Sequence, residues 1–165
     1  MKKKLIGWAA VLLALLFAVT ACRSGNGEET GDYLLYFPVS RDISYGAALA
    51  AESWEGDGTP APELLMQALL EGPTQEGLRA PFPRAVTILS LELVEEEKLM
   101  RITLSEQYGG LTDIAQTLAD ACIVMTACQL PNVERVEISS DGFWANRPDS
   151  RILSPAELEL DTLLP

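Results

Sequence analysis

The chain has 165 residues, 48% of them hydrophobic, with 24 acidic and 12 basic side chains and a formal net charge of −12. This length suits one domain, and the acidic balance argues against nucleic acid as a partner, because phosphates need clustered Lys and Arg. There is no histidine, which removes Ser-His-Asp and Cys-His catalysis and most transition-metal sites.

The N-terminus carries a targeting signal. Lys2, Lys3 and Lys4 form a basic n-region, and an apolar run over residues 5–19 follows, interrupted only by the small residue Gly7. The run is too short to span a bilayer comfortably but fits the apolar core of a signal peptide. Val19-Thr20-Ala21-Cys22 then reads as a bacterial lipobox, in which small residues admit the peptidase and the Cys22 thiolate receives a diacylglyceryl group. An ordinary cleaved signal and a short membrane anchor are the competing readings. The cysteine stands where the motif requires it and favours the lipobox. Residues 1–21 are thus expected to be removed, leaving lipidated Cys22 to hold the chain at a membrane through its acyl chains. Cleavage takes three lysines and no acid, so nine basic and 24 acidic residues remain, a net charge of −15. Such a surface cannot lie flat on anionic lipid.

Residues 22–31 hold the lipidated cysteine and a Gly-rich tether reaching roughly 17 Å. Residues 32–39 (DYLLYFPV) predict a first strand ending near Pro38. In residues 47–55 the alanines favour helix, but the position between two loops favours a second strand. A turn at residues 56–60 leads into a helix with Leu64, Leu65, Ala68 and Leu69 at helical spacing, with Thr59 as its expected cap. Gly72-Pro73 supplies an expected left-handed stop. Residues 74–84 are an irregular loop containing Leu78 and Phe82.

Leu89, Leu91 and Leu93 alternate with Ser90 and Glu92, as in a strand with one buried face. The acidic turn Glu95-Glu96-Glu97 joins it to a second alternating run containing Met100, Ile102 and Leu104, which together predict a hairpin. A long amphipathic helix over residues 113–128 is expected to bury Ile114, Leu118, Ala121, Met125 and Cys128, with Thr112 or Asp113 as its cap. A last strand over residues 133–139 closes at Asp141-Gly142. Residues 143–165, which begin with Phe143-Trp144, read as a proline-punctuated extension.

The order β-β-α-β-β-α-β predicts an α+β two-layer sandwich: a mixed sheet of about five strands with two amphipathic helices on one face. The single domain should span residues 32–142.

Several residues in this pattern resemble a known family. Tyr33-Leu-Leu-Tyr-Phe-Pro38 and the helix Pro62 to Pro73, ending in Leu-Leu-Glu-Gly-Pro, are similar to the GerMN domain of sporulation and spore-germination lipoproteins. So are the hairpin ending Ile102-Thr103-Leu104-Ser105, the helix around Ile123-Val124-Met125-Thr126-Ala127, and the strand closing on Asp141-Gly142. The resemblance covers about residues 32–142 and includes no catalytic signature. It implies a fold like that of ring-building domains and a non-enzymatic interaction domain on the outer face of a Gram-positive membrane. Related proteins carry the domain in tandem, whereas this chain has one copy.

The remaining chemistry is sparse. Glu95–Glu97 read as a solvated charge run, and Glu55-Gly-Asp57-Gly lacks the alternating acids and distal Glu of a calcium loop. Cys122 and Cys128 lie six helical positions apart, about 9 Å along the axis and roughly 240° around it, which forbids a disulfide while the helix persists. No metal, cofactor or catalytic residue is expected. Leu78, Phe82, Phe143 and Trp144 are the candidate partner surface, each with core packing as the alternative; Trp54 favours the core. The leading expectation is a membrane-tethered interaction domain with envelope or sporulation proteins as partners, basic ones by charge complementarity. A lipoprotein binding a small ligand such as a wall fragment is second, and an enzyme third.

Overall fold

The computed structural model describes residues 33–40, 48–142 and 150–158. All of them lie in Gly31–Pro165, the second of two units into which the chain divides. The lipobox with Cys22, the tether and Phe143-Trp144 lie outside the described residues.

Two strands open the domain, β1 (Leu34–Pro38) and β2 (Leu49–Ser53), paired antiparallel with Leu34 opposite Ser53 and Phe37 opposite Ala50. Helix α1 (Pro62–Glu71) follows. The hairpin of β3 (Ile88–Val94) and β4 (Leu99–Leu104) comes next, its strands joined by a single helical turn over Glu95–Glu97. A short helix α2 (Glu106–Gly109) and the long helix α3 (Asp113–Ala127) precede β5 (Arg135–Ser140) and β6 (Ser150–Leu153). The class is α+β, as the sequence predicts. The strands, however, form two sheets: the β1-β2 ribbon and a four-stranded sheet in the order β3-β4-β5-β6. The larger sheet is mixed, with β4 and β5 parallel, Leu99 opposite Arg135 and Leu104 opposite Ser140. That parallel pair needs a crossover, and α3 supplies it. The edge strand β6 lies in the stretch read as an extension, so the sheet runs beyond residue 142.

One apolar core joins these elements. Met100, Ile102 and Leu104 of β4 and Val136 and Ile138 of β5 are buried on one face of the sheet, with Leu65, Met66 and Leu69 of α1 and Leu35 and Phe37 of β1 in the same cluster. Four expectations need correction. Helix α3 does not bury a stripe: Leu118 to Val124 are buried without interruption, while Ile114 is 75% exposed. The reason is that α3 packs on β1, on α1 and on β5, so every side of its middle meets protein. Leu89 and Leu93 are exposed on β3, because β3 is an edge strand and a register shift between Ile88 and Ser90 breaks the alternation. Thr59 does not cap α1; Ala61 holds that position without a side-chain bond. Gly72 has a positive φ of 94° but an extended ψ of 173°, so it ends the helix without a left-handed helical turn.

The outer edge of β1 is closed by side chains of the α3 end. In an antiparallel pair alternate residues turn their backbone groups away from the partner strand. Leu34 and Tyr36 do so here. Leu34 donates its N–H to Gln129 Oε1 at 3.0 Å and accepts from Gln129 Nε2 at 2.7 Å, and Tyr36 donates to Thr126 Oγ1 at 3.2 Å. Farther along, Arg79 N–H donates to Pro38 O at 2.9 Å.

Candidate functional site

Helix α3 places an acid where its neighbours are apolar. Asp120, within Leu118-Ala-Asp-Ala-Cys122, is 4% exposed. An isolated buried carboxylate is costly, so it must be paired. Arg151 of β6 grips it bidentately, Nη2 to Oδ1 at 2.9 Å and Nη1 to Oδ2 at 2.7 Å. Tyr108 of α2, 2% exposed, donates its hydroxyl to the same Oδ1. Burial raises the Asp120 carboxyl above its ordinary range against the opposing pull of Tyr108 and Arg151. Burial likewise pushes the Tyr108 hydroxyl well up, with the Asp120 charge adding to it. All three groups are occupied by one another, and the cluster binds β6 and α2 to the central helix. Its arrangement is that of a structural clasp.

Sequence reasoning passed over this cluster. An acid in the middle of Leu-Ala-Asp-Ala-Cys-Ile was the available signal. The partners were not readable from spacing, since Tyr108 precedes the helix and Arg151 comes from a strand beyond the expected domain end.

The expected partner surface divides. Phe82 is 8% exposed and packs on Tyr108, ring centroids 6.2 Å apart, so it covers the core rather than facing a partner. Leu78 is half-buried against the core, bridges to Val39, and its carbonyl accepts from Ser40 Oγ at 3.0 Å. These contacts anchor the otherwise exposed loop over residues 74–84 to the core at Leu78 and Phe82. Trp54 is also half-buried, meeting Tyr33 edge to face at 6.4 Å. Its ring lies over Gly56, where a Cβ would stand 1.9 Å from it.

Cys122 is buried, and burial pushes its thiol far up; that of Cys128, partly buried, is pushed up to about 11. Neither is an activated nucleophile. Among the described residues no cluster of three or more Cys, Asp or Glu has metal-binding geometry. Among them, too, no helix is long and apolar enough to cross a membrane.

The outer face of the four-stranded sheet carries charges in cross-strand rows. Arg101 of β4 stands between Glu137 of β5, at 2.9 Å, and Glu92 of β3, at 3.8 Å. Lys98 pairs with Glu134, Arg135 donates to Glu97 O at 3.1 Å, and Thr103 bonds Ser139 at 3.0 Å. These exposed pairs are worth little individually. They offset part of the negative charge on this face of an acidic chain.

Comparison with known proteins bears on this geometry. Residues 34–144 match the Germane family, described as sporulation and spore germination. The fold is similar to the first GerMN domain of the sporulation protein GerM from Bacillus subtilis: TM-score 0.55, 15% identity, 75% of this chain and 98% of that one covered. It is also similar to the tandem GerMN domains of the same protein, with TM-score 0.51, 16% identity, and coverage of 68% of this chain and 39% of that one. A lipoprotein structure from Clostridium perfringens aligns with TM-score 0.48 and 23% identity over 77% of this chain and 89% of that one. Among curated proteins none matches.

Proposed function

The chain belongs to the Germane family of sporulation and spore-germination proteins, and from that premise we propose that it is a lipid-anchored, extracytoplasmic protein whose domain works by contact with other proteins rather than by catalysis. The family match over residues 34–144 carries the reading. Two features of the chain support it. Val19-Thr20-Ala21-Cys22 has the pattern of a lipobox, and a domain following a short Gly-rich tether is held close to the membrane surface. The buried side chains Tyr108, Asp120 and Thr126 and the half-buried Gln129 are all engaged in bonds that hold the fold together, which suits an interaction domain. The partners are envelope or sporulation proteins, and the acidic surface favours basic ones.

Photo-crosslinking of the full chain in membranes of the producing cell tests this. Discrete adducts with envelope proteins, weakened as salt rises, are expected. Turnover of a peptidoglycan substrate by the purified chain would contradict it.

A further inference from the structure

We propose that the edge strand β3 is a docking strand for a second copy of this chain, pairing antiparallel about a two-fold axis at Leu91. This deepens the reading of the domain as an interaction module and rests on it. The argument begins with the contrast between edges. The outer edge of β1 is closed by Gln129, Thr126 and the Arg79 amide. Strand β6, the other end of the four-stranded sheet, is only four residues long. Strand β3 has seven residues, contains no Lys or Pro, and among the described residues no backbone group from another element bonds its outer side. Natural sheets blunt edges of this length with lysines, prolines, bulges or charges, and here only the register shift at the start of β3 and Glu92 do so.

The side chains point the same way. Leu89, Leu91 and Leu93 have the alternation of a buried face, yet Leu89 is 51% and Leu93 39% exposed. A neighbouring strand would cover both. The sequence Ile88-Leu-Ser-Leu-Glu-Leu-Val94 is close to self-complementary about its centre. An axis at Leu91 sets Leu89 opposite Leu93, Ser90 opposite Glu92, and Ile88 opposite Val94. Apolar cross-strand pairs of this kind stabilise a ladder, and no like charges oppose each other. Shifting the axis to Glu92 would set two carboxylates face to face. Leu89 is the extra residue at the register shift between Ile88 and Ser90, so the regular pairing of two copies runs over Ser90 to Glu92 about Leu91, with Leu89 and Leu93 flanking it.

Charge selects this edge over others. A net −12 chain repels its copies except where charge is sparse. Strand β3 carries one charged residue, Glu92, which Arg101 offsets in part while pairing more closely with Glu137. The two Glu95–Glu97 turns would fall at opposite ends of the pair, roughly 33 Å apart at ~3.3 Å per residue, far beyond screening range. The product is one continuous sheet built from two four-stranded ones.

The test uses the full chain in membranes with Ser90→Cys, Glu92→Cys and the double variant, under mild thiol oxidation. The wild type, with Cys22, Cys122 and Cys128, sets the background. The two-fold register places the thiol introduced by Ser90→Cys against the one introduced by Glu92→Cys in the other copy. The double variant should therefore give several-fold more covalent dimer than either single variant. Adding Leu93→Lys should return the dimer to background while the thermal melt shows the domain still folded. Equal dimer in single and double variants would overturn the proposal, as would dimer that survives Leu93→Lys. Adducts with other proteins in place of dimer would also overturn it, leaving the interaction-domain reading intact.

Discussion

At the scale of single residues the most consequential feature is Asp120. Removing Arg151 strands a carboxylate that is 4% exposed, so Arg151→Ala should destabilise the domain by about 3 kcal/mol near neutral pH. The sign with pH follows from the direction of the shift. Burial already raises Asp120, and losing the guanidinium raises it further, so the folded state holds the proton more tightly than the unfolded one. Stability is then retained below the unfolded carboxyl pKa and lost as pH rises through the folded one. The cost of Arg151→Ala, read from urea unfolding, should therefore shrink between pH 7 and pH 4; a cost that grows on acidification would contradict the assignment. The cysteines give a second test. Burial pushes the Cys128 thiol to about 11 and that of Cys122 beyond it, so both should react with a thiol reagent at pH 8 far more slowly in the folded than in the urea-unfolded protein. Fast labelling of Cys122 in the native chain would show that the helix opens readily. Helical spacing ruled out a disulfide between them, but it put Cys128 on the buried stripe, whereas Cys122 is the buried one. The Tyr108–Asp120–Arg151 clasp was not legible, because its members meet only through tertiary packing.

At the scale of elements, Leu118 and Ile114 separate the two readings of α3. Leu118→Ala should cost roughly 2–5 kcal/mol because the side chain is buried at the helix centre. Ile114→Ala, at a position 75% exposed, should cost less than about 0.5 kcal/mol. Equal losses in urea unfolding would restore the stripe that the sequence predicts. Thr126→Val leaves the Tyr36 N–H without its acceptor, and a loss of about 1–3 kcal/mol is expected. Hydrophobic periodicity located the hairpin, both long helices and β5, since each has one clear period in its apolar positions. It failed where a segment is covered from several sides. The middle of α3 is buried all round, so Asp120 sits among residues that no stripe would include. It failed again at β3, where alternation implies burial that an edge strand does not receive. The split into two sheets was hidden too: β1 and β2 read as strands, but only the side chains of Thr126 in α3 and of Gln129 just beyond it explain why their ribbon stands apart.

At the scale of the whole molecule, composition, the N-terminal residues and the domain pattern converge on one account. The family was legible because its residues, from Tyr33-Leu-Leu-Tyr-Phe-Pro38 to Asp141-Gly142, are spread along the chain and lie in the elements that build the core. The partner surface was less legible: an exposed loop and a core-covering loop have similar composition, and Phe82 belongs to the second kind. The same acidity that argues against nucleic acid as a partner is expected to favour cationic surfaces and to confine contact between copies to places where charge is sparse. A domain of this kind acts only if it is kept where its partners are. Metabolic labelling with a fatty-acid probe, followed by membrane fractionation of wild type and Cys22→Ser, tests that most directly. The account predicts that the wild type is labelled and sediments with membranes, while Cys22→Ser is unlabelled and leaves the lipidated fraction. A Cys22→Ser chain that still takes up the probe would contradict it.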